Sequence, residues 1–198
     1  TLKVNEQPAI TSAASVGFTY NTAASPFQFV ASGYPAAAFS TSSALPTGVT
    51  LTSAGVLSGT PLSSGVFTLS VVASNGVGTN ATQTFTLTVG QAPSITSAAT
   101  TTFTVGSSGS FTIVATGQPN SFTFSTAGTL PSGVTLDATT GILSGTPAAG
   151  TGGTYAFTVS ASNGIGSAAT QNFTLTINQA AAFTSANATT FAVGSAGS

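Results

Sequence analysis

The sequence predicts an all-β chain built as tandem antiparallel β-sandwiches, and three observations carry that reading. Apolar and polar residues alternate over many short runs, Gly, Pro and Asn separate the runs, and one block of motifs is written twice and begun a third time. Strict alternation marks half-buried strands, because successive side chains point to opposite sides of the pleat. No three-four helical periodicity is sustained. Repetition at a fixed period marks an array of like units, and many short strands with spaced turns mark sandwiches of about seven strands each.

From the N-terminus, Thr1-Leu-Lys-Val4 reads as the last strand of a preceding unit. It stands before Gln7-Pro8-Ala9-Ile10 as Thr86-Leu-Thr-Val89 stands before Ala92-Pro93-Ser94-Ile95. Residues 5–90 form the first complete repeat. Phe27, Phe29 and Ala31 make one apolar face of an early strand, and Leu45-Pro-Thr-Gly-Val-Thr-Leu51 and Gly55-Val-Leu-Ser-Gly-Thr-Pro61 follow. Next comes a strand with Phe67, Leu69, Val71 and Ala73 inward. Asn75-Gly76 supplies the positive φ of a tight hairpin. The last strand sets Phe85, Leu87 and Val89 against Thr84, Thr86 and Thr88.

Residues 91–178 repeat this order after a short linker, Gly90-Gln-Ala-Pro93. Phe111, Ile113 and Ala115 match the early strand, Leu130-Pro-Ser-Gly-Val-Thr-Leu136 and Gly141-Ile-Leu-Ser-Gly-Thr-Pro147 match the middle motifs, and Asn163-Gly164 matches the turn. Tyr155, Phe157, Val159 and Ala161 face inward, as do Phe173, Leu175 and Ile177. Residues 179–198 open a third repeat, with Phe183-Thr-Ser-Ala186 matching Ile95-Thr-Ser-Ala98. Linkers this short predict a stiff rod.

Composition excludes several function classes. Charged residues are 2% of the chain, and they are Lys3, Glu6 and Asp137; ordinary globular chains hold about 25%. One cation excludes nucleic-acid binding, which needs several Lys or Arg to release counterions. It also removes a polybasic route to anionic membranes. No apolar run approaches the ~20 residues of a spanning helix, so no membrane insertion is expected. There is no Cys and no His. Acid–base catalysis lacks its titratable groups, Glu6 and Asp137 stand in different units, and the Ser and Thr hydroxyls have no base to activate them. The expectation is no enzyme, no cofactor and no metal site. Asp137, in Leu136-Asp-Ala-Thr-Thr-Gly141, is expected to cap its own turn through backbone N–H groups. An internal Thr–Gln ester through Gln83 or Gln171 would lack its helper acid. The sequons at Asn80, Asn172 and Asn187 arise easily in Thr-rich sequence.

The motif series Leu-Pro-x-Gly-Val-Thr-Leu, Gly-x-Leu-Ser-Gly-Thr-Pro, Ser-Asn-Gly-x-Gly and Thr-Gln-x-Phe-Thr-Leu-Thr resembles the "putative Ig" repeat family. The resemblance covers nearly the whole chain. It implies an immunoglobulin-like or cadherin-like sandwich, repeated in tandem in large bacterial surface and secreted proteins, commonly adhesins. Cadherin-like relatives often hold calcium between repeats on acidic clusters, and this chain has no such cluster. Tyr155 is placed as a tyrosine-corner residue would be; its counterpart Phe67 has no hydroxyl.

These readings lead to two functional expectations. The first is a non-catalytic extracellular or cell-surface spacer of a surface, adhesin or filament protein, whose partners are neighbouring repeats of the array. Strand edges without Lys lack the usual defence against pairing, so a homo-oligomer or fibre is also expected. The second is an adhesin repeat that binds a glycan or host protein through its loop tips. Tyr34, between Gly33 and Pro35, is the candidate contact: its second-copy equivalent is Gln118, an exchange that suits a solvent-facing loop tip and not a core position.

Overall fold

The computed structural model describes residues 4–181 and 193. Thr1, Leu2, Lys3, Asn187 and the predicted opening strand of the third repeat at Phe183–Ala186 lie outside the described residues.

The described chain is all strand and loop. The first repeat holds β1 (Glu6–Ile10), β2 (Ser15–Thr19), β3 (Phe27–Gln28), β4 (Ala31–Tyr34), β5 (Ala38–Thr41), β6 (Val49–Leu51), β7 (Val56–Gly59), β8 (Gly65–Ser74) and the first part of β9 (Ala81–Ile95). The second holds the rest of β9, then β10 (Thr100–Thr104), β11 (Gly109–Thr112), β12 (Ala115–Gln118), β13 (Thr123–Ala127), β14 (Val134–Leu136), β15 (Ile142–Gly145), β16 (Gly153–Ser162) and β17 (Ala169–Asn178).

Each repeat is two opposed layers. One layer orders β2-β9-β8-β5 in the first repeat and β10-β17-β16-β13 in the second. The other orders β3-β7-β6 with β1-β4, and β11-β15-β14 with β12-β9. Neighbours pair antiparallel except β2 on β9 and β10 on β17, which are parallel. The early strand predicted as one run is broken in both copies: β3 pairs with β7, and β4 then pairs with β1. The break falls at Phe29-Val30, where Phe29 N–H bonds to Gly55 and the Val30 carbonyl accepts Thr11 N–H.

The alternation predicted from sequence is the burial pattern. Leu69, Val71, Ala73, Phe85, Leu87 and Val89 are buried in the first repeat, and Phe157, Val159, Ala161, Phe173, Leu175 and Ile177 in the second. The buried residues form two separate clusters, one per repeat. Phe27, Phe29 and Phe85 meet at ring-centroid distances of 4.7–5.0 Å. The two most similar motifs of each copy meet backbone to backbone. Gly48 (φ 84°) and Gly59 (φ 134°) abut, as do Gly133 (φ 87°) and Gly145 (φ 146°), so that a Cβ on any of them would overlap the facing chain. Positive φ and the absence of a side chain are both required there.

Two expectations need correction. Gly90-Gln-Ala-Pro93 is not a linker loop, because β9 runs unbroken through it. Its N-terminal part pairs with β8 and β2, and its C-terminal part with β12. Paired backbone on both sides of the boundary leaves no reason for a loop. Asn75-Gly76 and Asn163-Gly164 are not two-residue hairpins either: residues 75–80 separate β8 from β9, and 163–168 separate β16 from β17. The glycines have positive φ (75° and 80°), while each Asn is used through its side chain.

Candidate functional site

The feature that organises the molecule lies where the repeats meet. Gln91, inside β9, pairs with Gln118 at the end of β12. Asn163 Nδ2 donates to the Gln91 carbonyl (2.8 Å) and to the Pro119 carbonyl (3.0 Å), and Asn163 Oδ1 accepts Ile165 N–H (3.1 Å). The side chain thus makes three bonds, two to loops of the second repeat and one to β9 where it enters that repeat. On the other side, Ser64 Oγ–H donates to Gln91 Oε1 (2.8 Å). Gln91 therefore joins a first-repeat loop through its side chain to a second-repeat loop through its backbone.

Packing completes the contact. Gly90 is buried, and a Cβ placed on it would lie 2.9 Å from Ile165 Cδ1. The Ile165 side chain fills the space that the glycine leaves. A Cβ on Gly166 would meet that of Ala92 at 3.2 Å.

The same constellation stands at the start of the first repeat. Asn75 Nδ2 donates to the Glu6 carbonyl (2.7 Å) and the Pro35 carbonyl (2.9 Å), and Asn75 Oδ1 accepts Val77 N–H (3.0 Å). Glu6 occupies the register position of Gln91, and the peptides preceding Pro35 and Pro119 are both cis. At the far end of the second repeat, Gln179 Oε1 accepts Gly152 N–H at 3.1 Å, the counterpart of the Ser64–Gln91 contact. Sequence reasoning missed Asn163, Gln91, Gly90 and Ile165 as a group. The available signal was Ser-Asn-Gly-x-Gly recurring in both copies, which carries more identity than a turn alone needs.

Tyr34 is 40% exposed, but it is not a loop tip. It is the last residue of β4 and pairs with Glu6. Backbone pairing of the chain entering the repeat draws this position into the sheet. Its equivalent, Gln118, is half-buried and pairs with Gln91 as Tyr34 pairs with Glu6. Asp137 sits in the predicted turn: its Oδ1 accepts Thr139 N–H (2.9 Å) and Thr140 N–H (2.8 Å). Those bonds, that from the Thr140 backbone first, hold its carboxyl below the usual carboxylate range. Tyr155 makes the corner contact, its hydroxyl donating to the Thr151 carbonyl at 2.9 Å. Gln83 and Gln171 each donate from Nε2 to a carbonyl, of Ser12 and Ser97, at 3.1 Å, which braces the chain before β2 and β10.

Each repeat carries a surface depression. One of about 370 Å³ in the first repeat is lined by Phe18, Thr22, Pro26 and Phe27. One of about 390 Å³ in the second is lined by Ile113, Asn120, Phe122 and Thr140. These are different places on the sandwich, and neither lining holds an ionisable side chain. Among the described residues no group of His, Cys, Asp and Glu is arranged for a metal ion, and no helix is long and apolar enough to cross a membrane.

Solved structures share this architecture. The chain is similar to extracellular domains 3–5 of Drosophila OTK (15% identity over 89% of this chain and 63% of that one, TM-score 0.56). It is similar to an I-band fragment of titin (14%, 90% and 67%, TM-score 0.58). It also matches the N-terminal four Ig domains of Dscam1 isoform 1.9 (15%, 89% and 46%, TM-score 0.60). The chain thus spans about half to two thirds of each, and at such identities the likeness is one of fold. None of the curated proteins compared matches it. A family model described as a putative Ig domain matches residues 1–90 and again 92–178, and the chain therefore belongs to the putative Ig domain family, with two members in tandem.

Proposed function

We propose that the chain is a non-catalytic, load-spacing segment of an extracellular bacterial surface, adhesin or filament protein, with repeat limits at 5–90 and 91–178. A tandem Ig-like array is an architecture of structural or adhesion type, and Ig-like domains are generally non-catalytic. The junction is the observation that carries the spacer reading. A free linker would need unpaired backbone, whereas β9 is paired on both sides of the boundary and gripped by Asn163 and Ile165. A spacer works by fixing distance, and this contact fixes orientation without a metal ion. The near absence of charge supports self-association as part of the same role, since net charge near zero promotes it.

The test is the relative orientation of the two repeats in solution, by residual dipolar couplings and small-angle scattering. One orientation should fit the wild-type data. Asn163→Ala should broaden the distribution while each sandwich stays folded. A wild-type chain that already samples a wide cone of orientations would overturn the spacer reading.

A second reading, direct binding of a glycan or protein at Tyr34, is favoured by the exposure of that ring. It is opposed by the place of Gln118, the equivalent position of the second repeat, which is half-buried beside Gln91. Glycan-array binding that Tyr34→Ala abolishes would support it; unchanged binding would remove Tyr34 from the reading.

A further inference from the structure

Each sandwich has several strand edges, and they are not equally protected. The edge at β1 is irregular: its register with β4 shifts between Glu6 and Ala9, around Pro8, and β9 on β12 shifts in the same way beside Pro93. β6 and β14 are three residues long. β5 and β13 are capped from the opposite layer, with Phe39 N–H bonded to the Ser53 carbonyl (2.9 Å) and Phe124 N–H to that of Ala138 (2.8 Å). Bulges, proline, shortness and cover are the means by which sheets avoid edge pairing.

β2 and β10 have none of these. Each keeps five unbroken pairs with its parallel neighbour. The hydrogen-bond phase is set by the ends: Thr86 N–H bonds to Ala14 and Tyr20 N–H to Gly90, and likewise Thr174 N–H to Ala99 and Val105 N–H to Asn178. Backbone groups alternate sides along a strand, so Ala14, Val16, Phe18 and Tyr20 serve β9 and Ser15, Gly17 and Thr19 point away. In β10 the outward residues are Thr100, Thr102 and Thr104. Short turns take the Thr19 carbonyl (Thr22 N–H, 3.3 Å) and the Thr104 carbonyl (Ser107 N–H, 3.1 Å). Among the described residues nothing bonds the outward N–H and carbonyl of Ser15, Gly17, Thr100 or Thr102. All six outward residues are exposed, and a Cβ on Gly17 would meet nothing within 4 Å.

We propose that β2 and β10 are docking edges for the same strand of a second copy of this chain. The inference rests on the self-association included in the proposed function and names the surface responsible. About a two-fold axis the edge is self-complementary. Two β2 strands pair antiparallel with Gly17 opposite Gly17, exchanging both N–H···O bonds, and with each Thr19 N–H donating to the partner's Ser15 carbonyl. Two β10 strands pair with Thr102 opposite Thr102 in the same way, and opposed threonines are a favourable cross-strand pair. Neither strand contains an ionisable residue, so no like charges meet across the axis. A second copy is the fitting occupant because the edge offers backbone bonds and hydroxyls and no charge with which to select a foreign ligand. One such edge per repeat makes each chain bivalent, which extends pairing from dimers to lateral assemblies.

Sedimentation velocity over a rising concentration series tests this. The wild type should associate, with little effect of salt. Gly17→Lys with Thr102→Lys should raise the dissociation constant roughly tenfold or more. Ser40→Lys with Ser125→Lys, exposed positions on the capped β5 and β13 edges, should associate like the wild type. Circular dichroism and thermal unfolding confirm that both variants fold. Hydrogen exchange at the Gly17 and Thr102 amides should slow on association. If the wild type associates and the β2/β10 variant does so equally, the edge assignment is wrong while self-association stands. A wild type that stays monomeric throughout removes both.

Discussion

Asp137 and Glu6 are the carboxylates of the described chain, and each stands where a neutral residue serves in another copy. Thr52 occupies the turn position of Asp137 and accepts Val56 N–H through Oγ1 at 3.1 Å. Gln91 occupies the register position of Glu6, and the Asn clamp uses the backbone carbonyl in both cases. Each site uses an acceptor oxygen, and at Asp137 that oxygen belongs to a titratable side chain. For Asp137 this has a pH consequence. Its folded pKa is lowered by the Thr140 and Thr139 N–H groups. Its stabilisation is therefore complete above the unfolded pKa and is lost as pH falls through the lowered folded value. The 137–140 turn should loosen in acid while the Thr52 turn does not, and Asp137→Asn should remove the difference. Amide chemical shifts of Thr139 and Thr140 through an acid titration check it; equal acid response in the two turns would contradict it.

At the scale of elements, the two cores reach the same packing by different routes. Phe29 of the first repeat corresponds to Ile113 of the second, and Leu69 to Phe157. A ring is absent at one buried position and present at another of the same core, an exchange that suits volume-conserving substitution. Leu69→Phe alone should overpack the first core and cost about 1–3 kcal/mol. Adding Phe29→Ile should return much of that loss, because residues sharing one core are not additive. Urea unfolding of the two variants measures the coupling, and strict additivity would show that the exchange is coincidental. The alternating strands were legible in the sequence because they depend on a local period. The break between β3 and β4 was not, because Phe27 to Ala31 alternate without interruption and only the change of partner from β7 to β1 divides them.

For the whole molecule, the junction decides whether two sandwiches behave as beads on a string or as one body. Asn163→Ala leaves the Gln91 and Pro119 carbonyls without their donor and Ile165 N–H without its acceptor. Groups so stranded cost about 1–3 kcal/mol where they are shielded from water. That is enough to loosen a boundary held otherwise by Ser64 on Gln91 and Ile165 on Gly90, and the variant should broaden inter-repeat orientation before it unfolds either repeat. Tyr34 shows the limit of reading the candidate site locally. Of the two exchanged residues Tyr34 is exposed and Gln118 half-buried, and each ends a strand because the chain entering its repeat arrives beside it.

By itself the sequence determined the strand faces, the two cores and the family. All of these follow from periods of two residues and from repetition along the chain. Only the tertiary structure decided that β9 serves both repeats, that Asn163 grips a carbonyl 72 residues away, and that the β2 and β10 edges stay open while β5 and β13 are covered. The physical reason is that a backbone hydrogen bond carries no mark of its partner in the side-chain sequence. Which carbonyl meets which N–H is settled when distant strands come together, and not before.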